Sequence, residues 1–506
     1  MAVLGFLSAL LVWKGYYINF RVAPVWDGGV YLLLARNMLS GQQLYEWFRP
    51  MLFSTIAAGV WSLTGENFLF VRYFNLTYTL ISATILYFII RDEKGKWLAF
   101  AGMALYATSL QVLIWSDHIL VHGLTTLFSL LTLWALKKYN PQRWFLGGIF
   151  ATLAVFARYT SVVIIAPIAL AFLIHHKQVR LIVAAAVGAA IPLVVYHVAF
   201  PFVLTRFVEI WFRYGQSTGV PQPWYYYFAN WYALFGILGL LAVPVLLMPS
   251  SYKSIATRPW TFWLLGSLVF FMITINKQDR FTFEWTPAVV YLGVTGLEKA
   301  HALLCRGFLT GSPLVKGCTI RTTKIAATAF LAGLIALQVF GSVNAYVPVQ
   351  KSYAFSRDNN LPIVADWMKE NTNLDDRFIS DYEAPVLTYF SGRHVAGIWR
   401  KTAEPGYMEY LQRYIEDARV NYLIIFARMT GNSIDELEKS GFLELETALD
   451  AGPLGTVYIL HYAPPSGSLV NELGLGDYST WVFTCGNSNW CMSVNDNVHG
   501  LRKYAT

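Results

Sequence analysis

Residues 68–117 read FLFVRYFNLTYTLISATILYFIIRDEKGKWLAFAGMALYATSLQVLIWSD. Two apolar runs, near 68–90 and 97–115, flank a short charged stretch that carries Arg91, Lys94 and Lys96. Each run approaches the roughly 20 apolar residues that a helix needs to cross a hydrocarbon core. The second run ends on Asp117, so the pair reads as two antiparallel membrane spans with cations at one face and an acid at the other. Working outward, similar runs recur near 2–20, 119–136, 144–157, 160–175, 181–203, 231–249, 260–275, 282–298 and 325–345. The pattern predicts a polytopic α-helical membrane protein with about 11 transmembrane helices.

Composition agrees. Of 506 residues, 56% are hydrophobic and only 13% charged, and the mean hydropathy is +0.45. A water-soluble chain carries nearer a quarter charged residues, so disorder, coiled coil and an ordinary cytosolic enzyme are excluded. The net charge of +8 sits in short loops between apolar runs and is no nucleic-acid footprint. Lys137, Lys138, Arg143, Lys177, Arg180, Lys253 and Arg258 fall on the face of Arg91, as does the longer basic segment 299–324. That assigns this face, and the N-terminus, to the cytoplasm. The first helix is expected to be retained, since no small-residue cleavage site follows it. Four Cys make no disulfide scaffold; Cys305 and Cys318 fall in the cytoplasmic loop and are expected to stay reduced, whereas Cys485 and Cys491 could bridge outside.

The outer face then receives residues 21–67, the junctions at Asp117 and Arg158, loop 204–230, the turn Asn276–Arg280 and everything after about 346. Residues 1–345 are read as the membrane domain with outside loop 21–67. In residues 346–463 charges return and helix-like segments (Pro362–Asn371, Gly406–Ala418, Ser433–Ser440) alternate with strand-like ones (Arg377–Ser380, Tyr422–Phe426, Thr456–His461). That alternation predicts a small extracytoplasmic α/β domain. Residues 464–506, rich in Gly, Ser and Asn, are expected to form a loosely ordered tail.

Several polar residues stand out against this background. In the first outside loop, Val30, Leu33, Leu34 and Met38 recur at helical spacing, so Leu32–Leu39 is expected to lie as a helix in the interface, with Asp27 near its N-cap. Asp27 is then either a capping side chain or a carboxylate available to take a proton from an acceptor hydroxyl. Asp117 at a span junction needs a polar cavity or a partner. His118 and His122 share an i, i+4 spacing used for metals, but no third ligand or HExxH accompanies them, and interhelical hydrogen bonding is the plainer reading. Arg158, Lys277 and Arg280 oppose the positive-inside trend, and a phosphate at the membrane surface would account for them. A local pair with Asp279 is the alternative. Trp224, Tyr226 and their aromatic neighbours form either an interfacial belt or a wall for an isoprenoid chain or sugar ring.

Three stretches together resemble the GT-C superfamily of polyprenyl-phosphate-sugar glycosyltransferases, in the branch of protein O-mannosyltransferases and the lipid A aminoarabinose transferase. They are Asp27-Gly-Gly-Val-Tyr31 with Ala35-Arg36, Gly41, Tyr45, Pro50, Gly65 and Arg72; Trp115-Ser116-Asp117; and Asn276-Lys277-Gln278-Asp279-Arg280-Phe281 with Pro287 and Gly296. The resemblance implies an inverting transfer of sugar from a polyprenyl (dolichyl or undecaprenyl) phosphate donor to a protein, lipid or glycan acceptor outside the cytoplasm, in an archaeal or bacterial envelope. Carried onto this chain, Asp27 is the general base and Asp117 helps bind or orient the acceptor. Lys277, Arg280 and Arg158 hold the donor phosphate. Tyr31, Arg36, His118, Trp224 and Tyr226 become substrate-binding candidates. No resident metal is assigned, a divalent ion stays open, and no other cofactor is implied. Two positions depart from the pattern: Gly28 where many relatives carry Glu, and Asn276 where they carry His. Asp381–Pro385 with Tyr389–Arg393 resembles the soluble domains of prokaryotic members, with acceptor recognition or covering of the site as the implied use. The competing function is a lipid-linked-sugar flippase or transporter, which should show inverted repeats and midplane charges; the sequence shows neither.

Overall fold

The structure is a computed structural model that describes residues 2–18, 24, 26–42, 44, 49–201, 222–274, 277–310, 320–354, 360–398 and 406–463. The proposed Cys485–Cys491 bridge, the tail, Tyr45, Asn276 and Cys318 lie outside the described residues. By its internal contacts the chain forms two compact units, Met1–Ile18 with Trp47–Gln350 and Asn19–Glu46 with Lys351–Thr506.

The first unit is helical. Its elements are α1 (Ala2–Ile18), α3 (Leu52–Thr64), α4 (Phe68–Lys94), α5 (Lys96–Ala107), α6 (Leu110–Trp115), α7 (His122–Leu136), α8 (Pro141–Ala157), α9 (Val162–His176), α10 (Val179–Ala199), α11 (Tyr226–Ala229), α12 (Trp231–Leu247), α13 (Pro249–Lys253), α14 (Arg258–Ile273), α15 (Thr286–Thr310) and α16 (Ile320–Ala354); α2 (Trp26–Ser40) belongs to the second unit. Local chemistry sets the ends. Asn67 accepts from the Leu69 N–H to start α4, and Gly95, at φ 86°, closes it in a backbone conformation that Cβ-bearing residues resist. Asn140 caps α8, with Pro141 in its first turn. Where α8 meets α10, a Cβ on Gly148 would strike the Ala185 carbonyl, and one on Gly188 the Phe145 carbonyl. Two bare backbones let these helices approach closely, as small residues do between membrane helices.

All eleven apolar runs coincide with helices, with three departures. The run 97–115 is broken at Thr108-Ser109. Residues 116–121 form turns, so α7 starts only at His122 and the expected shared helical face of His118 and His122 does not exist. The apolar helix α3 occupies part of the stretch read as an outside loop. Four helical segments are long and apolar enough to cross a membrane, at Phe68–Lys94, Tyr159–His176, Val179–Ala199 and Thr328–Gln350. Shorter apolar helices include α1, α3, α7, α12 and α14.

The second unit is a three-layer α/β domain. After α17 (Leu361–Asn371) come β1 (Arg377–Ser380), α18 (Ala384–Ser391), β2 (His394–Gly397), α19 (Tyr407–Ala418), β3 (Tyr422–Ile425), α20 (Ala427–Thr430), α21 (Ile434–Glu438), β4 (Leu443–Asp450) and β5 (Thr456–Tyr462). The sheet order is β2-β1-β3-β5-β4, parallel across the first three strands and antiparallel across the last two pairings. Phe378, Val395 and Ile424 face a core shared with Leu361, Val364, Met368, Val386 and Leu387. Ile379, Leu423 and Ile425 face another with Tyr407, Leu411, Ile415 and Leu437. Successive side chains on one strand thus serve opposite layers. Helix α2 joins this unit: it is longer than the expected Leu32–Leu39, holds Asp27 inside its first turn, and packs on α18 with Trp26 against the first of these cores. Residues 19–46 therefore group with the C-terminal unit, not with the membrane domain to which the sequence reading gave the whole stretch 21–67.

Candidate active site

In the first unit, the end of α8, the start of α7 and a 3-10 turn at Asp279–Glu284 bring three polar side chains together. Arg158 caps α8 in an extended conformation, φ −156° and ψ 118°, which turns the chain sharply before α9. Its Nη1 donates to Glu284 Oε1 and lies 3.0 Å from His122 Nδ1. His122 Nδ1 is 2.8 Å from the same carboxylate oxygen. The guanidinium also stands over the Phe281 ring, 4.7 Å from its centroid. Glu284 is 1% exposed and His122 4%, whereas the Arg158 side chain keeps 13%. A cation fixed from behind by an acid and a ring, with part of its surface still open, suits an anionic ligand.

The turn that carries Lys277 and Arg280 is pinned by the aromatic segment 222–230. Tyr226 Oη donates to Asp279 Oδ1 at 2.6 Å, and Tyr227 Oη donates to the Gln278 carbonyl at 3.2 Å. Burial, reinforced by the Asp279 carboxylate, pushes the Tyr226 phenol up to about 12. Asp279 thus has a tyrosine partner beside the cations weighed from the sequence. Lys277 is buried and donates to the carbonyls of Gln222 (3.2 Å) and Thr274 (2.5 Å). Arg280 is half-buried beside the Phe281 ring. Trp224, by contrast, is 63% exposed.

Asp117 sits in a separate, fully buried cluster. Lys14 Nζ donates to Asp117 Oδ1 at 3.0 Å, to the Leu113 carbonyl at 2.5 Å and to Tyr346 Oη at 2.7 Å. Arg72 Nη2 donates to Asp117 Oδ2 at 3.3 Å, and its Nε to the Asp117 carbonyl at 3.0 Å. His118 Nδ1 lies 3.7 Å from Asp117 Oδ1. Asn75 Nδ2 donates to the His118 carbonyl, which places the sequon Asn75-Leu76-Thr77 inside α4 with its asparagine buried. The cluster ties α1, α4, the α6–α7 junction and α16 together. The carboxylate has the partners that its depth requires.

In the second unit Asp27 is half-buried in the first turn of α2, a position where a carboxylate also meets the helix N-terminus. Tyr31 is buried on the same helix. Arg36 lies over the Tyr389 ring at 4.4 Å and donates through Nη1 to the Tyr389 carbonyl at 2.8 Å. Among the described residues no group of three or more His, Cys, Asp or Glu side chains is arranged to hold a metal.

Sequence reasoning missed Glu284 and Lys14. Both had a signal: an acid and an amine inside otherwise apolar runs are candidate functional residues by default.

Residues 49–204 match the family model described as dolichyl-phosphate-mannose-protein mannosyltransferase. No curated protein matches the sequence significantly. Among solved structures, ArnT from Cupriavidus metallidurans bound to undecaprenyl phosphate superposes with a TM-score of 0.63 at 12% identity, over 92% of this chain and 99% of that one. The Archaeoglobus fulgidus oligosaccharyltransferase in its apo form gives 0.57 at 13% identity, over 84% of this chain and 70% of that one. The same enzyme tethered to an acceptor peptide gives 0.54 at 12% identity, over 90% and 74%. The chain thus carries a match to that family model in residues 49–204 and shares its fold, over most of its length, with ArnT and the archaeal oligosaccharyltransferase.

Proposed function

We propose that this chain transfers a sugar from a polyprenyl-phosphate donor to an acceptor hydroxyl on the outer face of the membrane, with inversion. The observation that carries the reading is Arg158, held by Glu284 and His122 against Phe281 with part of its side chain still open. Arg280 and Lys277 follow on the turn that leads into Phe281. The likeness of the fold to an ArnT structure that holds undecaprenyl phosphate supports a lipid phosphate as the leaving group. A protein acceptor draws support from the oligosaccharyltransferase tethered to its acceptor peptide.

In the proposed step the acceptor oxygen attacks the anomeric carbon and its proton passes to the Asp27 carboxylate. The anomeric C–O bond to phosphate breaks, and the polyprenyl phosphate leaves with the electron pair. Arg158, Arg280 and Lys277 offset the charge that gathers on the departing phosphate. Trp224 and Tyr226 flank the turn as a wall for sugar or isoprenoid. Asp117 orients the acceptor side indirectly, by fixing the helix ends that meet at its cluster. The C-terminal unit lies on the extracytoplasmic side.

The test uses membranes that contain the wild type or Asp27→Asn, fed radiolabelled polyprenyl-phosphate mannose and other hexoses, with label leaving the lipid as the readout. Loss with the wild type and none with Asp27→Asn supports the proposal. Equal loss in both removes Asp27 as the base, and no loss in either across the panel favours transport.

A further inference from the structure

The parallel strands β2, β1 and β3 end together at Gly397, Ser380 and Ile425. From β1 the chain crosses to β2 on one side and then returns past β1 to β3 on the other, so the connections diverge at the carboxyl ends of β1 and β3. In open α/β sheets such a point is where ligands usually sit. Here the chain fills it from within. Asp381, directly after β1, accepts from the Phe426 N–H (2.9 Å), Thr430 Oγ1 (2.6 Å) and Asn432 Nδ2 (2.7 Å), tying the ends of β1 and β3 shut.

Next to this closed crevice lies α2. Its Trp26 indole covers the end of β2 so closely that a Cβ on Gly397 would lie 2.7 Å from the ring. One turn on, Gly29 meets the start of α18: a Cβ there would stand 3.0 Å from both the Val386 backbone nitrogen and side chain. Farther along, Arg36 stacks on Tyr389 and donates to its carbonyl. Three contacts thus fix α2 along its length, and the first two bracket Asp27. A glycine makes room in each of two separate contacts: Gly29 lets the α2 backbone approach the α18 backbone, and Gly397 leaves space for the Trp26 ring.

We infer that the C-terminal unit is the mount of the first-loop acid: Trp26 on Gly397, Gly29 on Val386, and Arg36 on Tyr389 seat α2 and aim Asp27, so Arg36 and Tyr389 are positioning residues. The inference rests on the reading of Asp27 as base. It gives the soluble unit a part in the chemistry without any catalytic side chain of its own. It also accounts for Arg36 in the first-loop motif by its contact with Tyr389, not by a substrate.

The test compares the full-length wild type with Arg36→Ala, Tyr389→Ala, Tyr389→Phe and Gly29→Leu in membranes. Each is assayed with labelled polyprenyl-phosphate mannose, or whichever hexose the wild type turns over, and by amide hydrogen exchange. Tyr389→Ala and Arg36→Ala are expected to speed exchange in residues 26–40 while strands β1, β3 and β5 stay protected. They should lower kcat by about ten- to a hundredfold, because misplacing a reacting group by an ångström costs on that order, and leave donor KM within about twofold. Tyr389→Phe keeps the ring and the backbone acceptor and should behave as wild type. Gly29→Leu pushes α2 off the start of α18 and should reproduce the kcat loss. Wild-type kcat in Arg36→Ala and Tyr389→Ala, beside an inactive Asp27→Asn, overturns the mount and leaves the base standing. A rise in KM alone also overturns it, pointing to substrate contact instead. An active Asp27→Asn overturns the base and the mount together.

Discussion

The Lys14 ammonium lies 3.0 Å from Asp117 Oδ1, a pairing made across 103 residues of sequence. Both side chains are 1% exposed. Lys14 alone would be an amine stranded in an apolar helix; Asp117 alone would be an acid stranded at a helix end. Together with Arg72 and Tyr346 they form a joint between α1, α4, the α6–α7 junction and α16.

Removing Asp117 leaves Lys14 and Arg72 buried without a counter-charge, whereas removing Lys14 leaves Asp117 still paired with Arg72; stranding a buried charge costs about 3–5 kcal/mol. Asp117→Leu is expected to destabilise the detergent-solubilised protein on that scale and Lys14→Met by less, since Arg72 still faces the carboxylate, measured by chemical unfolding. A double variant Lys14→Met/Asp117→Leu should recover part of the Asp117→Leu loss, because one of the two stranded cations goes with the acid. If Asp117→Leu unfolds at the wild-type midpoint, the joint carries no stability.

Arg158 makes the corresponding test at the proposed donor-phosphate site. Arg158→Lys keeps the charge but loses the planar fork and the stacking on Phe281. Donor KM is expected to rise roughly tenfold with kcat less affected, since about 1.4 kcal/mol is one decade of affinity. Glu284→Gln should move KM in the same direction, because it loosens the anchor behind the guanidinium. An unchanged donor KM in Arg158→Lys would take this residue out of donor binding.

How much of this was legible beforehand follows from sequence separation. The helices of the first unit announce themselves through runs of about 20 apolar residues, a signal contained within each segment. The strands Arg377–Ser380, Tyr422–Ile425 and Thr456–Tyr462 were readable for the same reason. Short elements were not: α18 and β2 together fill only Ala384 to Gly397, too few residues for either period to emerge. His118 and His122 looked like one helical face because spacing alone cannot show that residues 116–121 unwind. The clusters themselves were beyond reach. Glu284 meets Arg158 across 126 residues, and Arg36 meets Tyr389 across 353, and no local pattern encodes such pairings.

Asp381 gives a pH test confined to the soluble unit. Burial pushes its carboxyl above the ordinary value, against the opposing pull of Thr430, the Phe426 N–H and Asn432. With the folded pKa raised, the folded state holds the proton through a window just above the usual carboxylate range, where the unfolded state has lost it. Stability contributed by this group is therefore present below the unfolded value and declines as pH rises through the folded one. Hydrogen exchange in β1 and β3 should quicken, beyond the intrinsic rate change, as pH rises above the ordinary carboxylate range. Asp381→Asn should flatten that added dependence, and an identical slope in the variant would assign it to another group.

The last expectation concerns α8 and α10, whose closest approach is made by two glycines. A methyl on Gly148 would drive into the backbone at Ala185, and one on Gly188 into the backbone at Phe145. Neither obstacle is the far end of a flexible side chain, so no rotamer change relieves the clash and the helices must separate. Overpacking of this kind costs about 1–3 kcal/mol. Gly148→Ala and Gly188→Ala are each expected to lower the unfolding midpoint. Because the two meet one interface, the double variant should lose less than the sum, since helices parted by the first methyl already accommodate the second. Strict additivity in a double-mutant cycle would mean that each methyl is absorbed locally, and that the close approach of α8 and α10 is not what these glycines provide. Subadditivity would tie both to one contact, next to the α8 end from which Arg158 projects.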